Sequence, residues 1–177
     1  MKRSGFSNKG DWKGFKKPTK GLRRAKFGVI KPKVQSKGKK PTKPLHKRLK
    51  ALKKQLWEYC KVITRQRHGS TCFTCGKTNL EGSSRQTGHF IPNSVGGALL
   101  RYNLNNLRIQ CYYCNINLGG NGSSFYRRLL ETEGQEHVDN LFTLKSQTIK
   151  ADEMWYMEKI QEYDEIARKL IESNNPK

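Results

Sequence analysis

Cys72-Phe-Thr-Cys75 and Cys111-Tyr-Tyr-Cys114 are the two stretches on which the fold turns. Two residues between cysteines let both thiolates face one ion, and two such knuckles complete a tetrahedral four-cysteine zinc site. Gly76 follows the first pair, where a knuckle needs a permissive backbone. Sulfur fills all four positions, so this zinc is structural and leaves no open position for water. A redox pair or an iron–sulfur cluster would use the same spacing, but nothing around these cysteines supports either. The basic N-terminus lacks an apolar leader, and no apolar run approaches a membrane span. Paired CxxC in such a chain reads as metal binding rather than disulfides, and the expected location is a reducing cytoplasm.

Outward from the knuckles, 35 residues separate the two pairs, enough for a functional unit inserted between them. Gly88-His89-Phe90-Ile91-Pro92 lies there, then Asn105-Asn106-Leu107, and Asn115 directly follows the second knuckle. A His in a short strand, a later Asn and a polar ligand opening a helix form the HNH, or ββα-metal, pattern. Phosphodiester hydrolysis needs an activated water, which a neutral imidazole can deprotonate near neutral pH. It also needs a cation to stabilise charge at the phosphorus and the leaving oxygen. Mg²⁺ or Mn²⁺ accepts oxygen donors, which Asn115 and Asn117 can supply, while Asn106 can orient the histidine. His89, Asn106 and Asn115 are therefore the candidate catalytic residues. The alternative for His89 is a buried residue that hydrogen-bonds a loop.

The chain of 177 residues carries 36 Lys+Arg against 14 Asp+Glu, a formal net charge of +22. A polyanion is the natural partner for such a charge. Residues 1–44 hold four of the six prolines and a single acid, Asp11, with Phe6, Trp12, Phe15 and Phe27 scattered among basic residues. That composition predicts a disordered basic arm able to lie along phosphates, or a merely solubilising tail. Residues 45–177 are the expected folded domain.

Leu45, Leu49, Leu52, Leu56, Cys60 and Ile63 recur at spacings of three and four, which predicts an amphipathic helix from Pro44 to Arg67. Cys60 reads as a buried small hydrophobe. Lys47, Arg48, Lys50 and Lys54 lie off the apolar stripe and are expected to meet a DNA backbone, with Arg101 and Arg108 holding phosphates. Residues 70–122 read as loop-like with short elements. Helices follow over Ser124–Glu133, with Gly134 as the stop, over Gln135–Phe142 and over Ala151–Glu172. The apolar face of the last is expected to be Met154, Met157, Ile160, Tyr163, Ile166 and Leu170. The predicted class is α+β: a small ββα-metal core on a zinc clip, flanked by long helices.

Over residues 50–172 the sequence resembles the NinG family of phage recombination proteins, the family of lambda Rap. The resemblance rests on CxxCG, GHF, Arg101-Tyr102, Asn106, QCxxCN, Gly120-Asn121, Tyr126 and the Gly134–Leu141 stretch. It implies a structure-specific endonuclease acting on branched recombination intermediates, such as Holliday junctions, in phage-infected bacteria. The CxxC, His, CxxC-Asn order is also similar to that of the phage endonuclease VII resolvases, where the Asn after the second knuckle is a metal ligand. This implies the same role for Asn115. Three positions depart from these patterns. Gln86 stands where the family often has Asp, Gly88 where many HNH sites have Asp or His, and Asn117 where the family tends to have His. The site is poor in carboxylates, and a neutral amide holds Mg²⁺ more weakly than a carboxylate. Two cuts at a junction favour a homodimer. The other reading of the same residues is a zinc-stabilised, non-catalytic DNA-binding recombination accessory.

Overall fold

The computed structural model describes residues 44–174; apart from Pro44, the expected basic arm lies outside the described residues. Five helices are described, α1 (Leu45–His68), α2 (Asn93–Arg101), α3 (Gly122–Glu133), α4 (Gln135–Lys145) and α5 (Glu153–Asn174), with two strands, β1 (Arg85–His89) and β2 (Leu107–Cys111). The fold is mixed and helix-rich, with one small two-stranded sheet. No helix among the described residues is long and apolar enough to cross a membrane.

α1 starts directly after Pro44 and contains neither Gly nor Pro. It stops at Gly69, whose φ of 63° few other residues adopt, and Gly69 N–H closes onto the Arg65 carbonyl. Arg65, Arg67 and His68 in the last turn suit the negative end of the helix dipole. α5 opens with the Asp152 carboxylate accepting the Trp155 N–H at 3.0 Å, a side-chain N-cap. Three cross-links show that α1 and α5 run side by side in the same direction: Arg48–Glu153, Tyr59–Asp164 and Gln66–Asn174. Between them Leu56, Cys60 and Ile63 meet Tyr156, Ile160, Tyr163 and Ala167, and Tyr102 and Leu107 close the layer.

The buried face of α5 differs from the expected one. Ile160 and Tyr163 are buried, but Met154 and Met157 are 64% and 40% exposed, and Tyr156 and Ala167 take their places. The face is set by the parallel course of α1, which draws in Tyr156. The helix α2 falls inside the segment expected to be loop-like. Its Gly96-Gly97 pair breaks the helical pattern in the sequence, and Gly97 kinks the helix at φ 57° and ψ −160°.

β1 and β2 pair antiparallel from Arg85 with Cys111 to His89 with Leu107. All five residues of β2 are buried. Leu107, Ile109 and Cys111 alternate with the polar Arg108 and Gln110, which face the other way in the pleat. A second apolar cluster, Ile91, Leu100, Phe125, Leu129, Val138 and Leu141, joins α2, α3 and α4.

Candidate active site and metal centre

The two knuckles come together because β2 delivers Cys111 at its end and the first knuckle lies on the same strand, with Phe73 N–H donating to the Ile109 carbonyl. The sulfur atoms of Cys72, Cys75, Cys111 and Cys114 all lie within 4.8 Å of one another. Tetrahedral zinc with Zn–S bonds of about 2.3 Å requires sulfur separations of about 3.8 Å. Cys75 and Cys111 Sγ are 3.8 Å apart. The donor set and spacing fit one structural metal such as zinc. Cys114 N–H donates to Cys111 Sγ, and Asn121 Nδ2 donates to Cys114 Sγ, which helps neutralise the thiolates. Among the described residues this is the one group of three or more Cys, His, Asp or Glu side chains arranged to hold an ion.

His89 ends β1 and is only partly exposed. Its Nε2–H donates to the Arg101 carbonyl at 2.9 Å, which leaves the lone pair of the neutral ring on Nδ1. Its ring stacks on Trp57 of α1, with centroids 5.2 Å apart and planes 9° from parallel. Burial pushes the imidazole pKa below its ordinary 6.5, and the Arg101 charge acts in the same direction against the hydrogen bond to the Arg101 carbonyl. The ring is thus neutral, fixed in one tautomer and supported on one face.

Asn106 is fully buried, and its amide is fully engaged. Oδ1 accepts the Ile91 N–H at 2.8 Å, and Nδ2 donates to the carbonyls of Ile91 and Leu100, both at 3.0 Å. It therefore joins the segment after His89 to the end of α2, which supplies the Arg101 carbonyl. Asn106 is a positioning residue rather than a catalytic one. Asn106→Ala would orphan the buried N–H and carbonyl of Ile91, at about 1–3 kcal/mol each, while the Leu100 carbonyl keeps the Asn103 N–H. A melting-temperature drop equivalent to at least about 2 kcal/mol is expected; thermal denaturation of the two proteins checks it.

Asn115 sits in a single π-type turn, Tyr113–Asn117. Its Nδ2 donates to Gln86 Oε1 at 3.0 Å. A Cβ placed on Gly88 would lie 2.9 Å from Asn115 Oδ1, so that oxygen meets the residue directly before His89. The same Cβ would collide with Gln110 Oε1. Gly88 is therefore required by close approach rather than by backbone conformation. The side chain of Asn117, the other expected metal ligand, is exposed at the end of that turn.

Two of the expected phosphate contacts have other places. Arg108 is 4% exposed and lies in the interior. It donates to the Asn105 and Leu107 carbonyls and pairs with Glu133 at 2.7 Å, fastening β2 to α3. Arg48 pairs with Glu153 at 2.6 Å and fastens α1 to α5. Both corrections have one cause: each guanidinium finds a carboxylate from a segment distant in sequence. Lys47, Lys50, Lys54 and Arg101 are exposed. On a helix at about 100° per residue, Lys47, Lys50, Lys54 and Trp57 fall within a sector of roughly 80°. A basic stripe thus leads along α1 to the ring that carries His89.

A family model described as Bacteriophage Lambda NinG protein matches residues 8–173. The chain belongs to the NinG family. The match includes both knuckles, both strands and nearly all of α5, and NinG membership sets the chain in phage recombination. No curated protein and no solved structure matches it. Trp57 has no place among the sequence motifs, and Gln110 stands in QCxxCN with no role attached to it. Trp57 carries no local signal, because its partner is 32 positions away. Gln110 had one: a neutral polar residue directly before a metal-binding cysteine, on the opposite face of the strand from Leu107 and Ile109.

Proposed function

We propose that this NinG protein is a metal-dependent endonuclease of the HNH, ββα-metal kind that cuts branched DNA during recombination. The observation that carries the reading is His89: a neutral ring with Nε2 committed to a carbonyl and Nδ1 left as a base. In this reading Nδ1 takes a proton from the attacking water as the new P–O bond forms. The bond to the leaving sugar oxygen breaks, and that oxygen takes a proton from solvent. Asn115 Oδ1 would hold a Mg²⁺ or Mn²⁺, which would supply positive charge to stabilise the transition state. Arg101 and the α1 stripe of Lys47, Lys50 and Lys54 hold the DNA backbone, and residues 1–44 add non-specific affinity. Oxygen donors suit a hard cation, and with no acidic cluster beside His89 among the described residues its hold would be weak.

The second reading is a DNA-binding recombination accessory without catalysis. It is favoured by the fact that no acidic cluster accompanies His89 among the described residues. End-labelled linear, forked, flapped and four-way DNAs, incubated with Mg²⁺, Mn²⁺ or chelator, separate the two. The nuclease reading expects metal-dependent nicks near branch points. Tight, salt-sensitive binding to every substrate with no nick under either metal would defeat it.

A further inference from the structure

A cleft of about 350 Å³ opens between α5 and the turn that follows α2. That lies within the range of small-molecule sites, about 300–1,000 Å³. The half-buried ring of Trp155 forms one wall, and Tyr163 lies below it. The Tyr163 hydroxyl donates to the Tyr102 carbonyl at 2.7 Å, which fastens the turn to α5 and fixes the walls. Asn103 and Asn105 bring amides to the opposite side. Asn103 Oδ1 accepts the Asn105 N–H at 2.9 Å, while Asn103 Nδ2 and the Asn105 side-chain amide have no hydrogen-bond partner among the described residues. Arg67 and Lys159 stand at the rim. Lys159 is paired with Glu162 at 2.7 Å, whereas no carboxylate pairs with Arg67 among the described residues. An aromatic wall, unengaged amides and a free guanidinium suit the face, the polar edge and the phosphate of a nucleotide.

The cleft is continuous with the surroundings of His89. Arg101, whose carbonyl accepts the His89 Nε2–H, holds its guanidinium 6.0 Å from the Trp57 ring and 5.6 Å from the Tyr102 ring. The Tyr102 and Trp155 rings are in turn 6.2 Å apart. The exposed Arg101 thus stands between the ring that supports the imidazole and the wall of the cleft, so one strand can pass from His89 over Arg101 to Trp155. A base inside a duplex is stacked and paired, and its face is not free to meet Trp155. Taking it out of the stack costs least where the nucleotide is already unpaired, as it is beside a branch.

We propose that this cleft takes one unpaired nucleobase, stacked on Trp155, from a strand whose backbone crosses Arg101, and so distinguishes branched DNA from linear duplex. This rests on DNA as the partner, which both functional readings share, and needs no cutting. An aromatic side chain of a partner protein would meet the same walls. The net charge of +22 and the continuity with Arg101 favour the base.

The test places a fluorescent adenine analogue at successive positions in the unpaired arm of a forked DNA. Its quenching and the DNA affinity are measured with the metal-loaded full chain, without Mg²⁺ or Mn²⁺. One position beside the branch is expected to be quenched by wild type and not by Trp155→Leu. Trp155→Leu should bind the fork about tenfold more weakly and the linear duplex unchanged, and Trp155→Phe should restore most of the loss. An abasic nucleotide at the quenched position should cost wild type about tenfold and Trp155→Leu nothing further. Thermal melting verifies that Trp155→Leu has folded; if it has not, the abasic fork with wild type carries the test. No quenched position, an abasic fork bound as tightly as the intact one, or a folded Trp155→Leu that binds fork and duplex with unchanged preference overturns the proposal. Nicking by wild type, assayed separately with Mg²⁺, decides the nuclease reading and leaves this result standing. A wild type that binds no DNA defeats both.

Discussion

Removing the metal from the four cysteines is expected to collapse the knuckles and the sheet while α1 and α5 keep part of their helical signal. The third core cluster consists of Cys72, Leu80, Ile109, Cys111 and Cys114, so three of its five members belong to the metal-binding set. Leu80 and Ile109 alone cannot hold β2 against the first knuckle. Structural zinc contributes about 10–16 kcal/mol in small zinc-binding peptides, against a usual domain stability of about 5–15 kcal/mol. Cys111→Ser, which breaks the cluster at the end of β2, is expected to lose the ion and the cooperative melting transition together. Zinc content, far-ultraviolet circular dichroism and thermal scans before and after chelation check this. The α1–α5 layer has its own core, so the lost ellipticity should be partial. A melting curve unchanged after complete metal removal would show that the cysteines contribute no folding energy.

His89→Ala is expected to lower metal-dependent nicking by about 10²–10⁴-fold, the range for a removed general base. Binding of forked DNA should stay near the wild-type value, since the α1 lysines are untouched. The pH dependence follows from the sign of the shift. Burial, helped by Arg101, holds the imidazole below its usual 6.5, and only the neutral ring can accept a proton. Nicking should therefore persist as pH falls through 6.5 and decline only in more acid solution. A wild-type rate that halves near pH 7 would contradict this environment. Equal nicking by wild type and His89→Ala would remove His89 from the mechanism.

The knuckles and long helices were legible because their signals are local. CxxC spacing places sulfurs by chain geometry alone, and α1 follows its three- and four-residue apolar spacing from Leu45 to His68. Gly134 separates α3 from α4 as expected. What escaped depends on partners remote in sequence. Arg108 looked like a phosphate ligand until Glu133, 25 residues on, occupied it. The face of α5 shifted to Tyr156 because a parallel α1 lies against it. Asn106 was noticed, but its work is to fasten backbone, which composition cannot reveal. At the site, His89 and Asn115 came from motif spacing. Gln110 stood in the QCxxCN motif, but its surroundings, like the stacking of Trp57, depend on α1 and the sheet edge being in place.

The stacking of Trp57 on His89 has a consequence for the order in which the chain is made. Trp57 belongs to α1, and α1 buries Leu56, Cys60 and Ile63 against α5, the last of the described elements to leave the ribosome. A nascent chain lacking α5 has the histidine and the knuckles but no firm wall behind the imidazole. On the nuclease reading, a chain without α5 is a poor cutter, and the packing of α5 on α1 arms it.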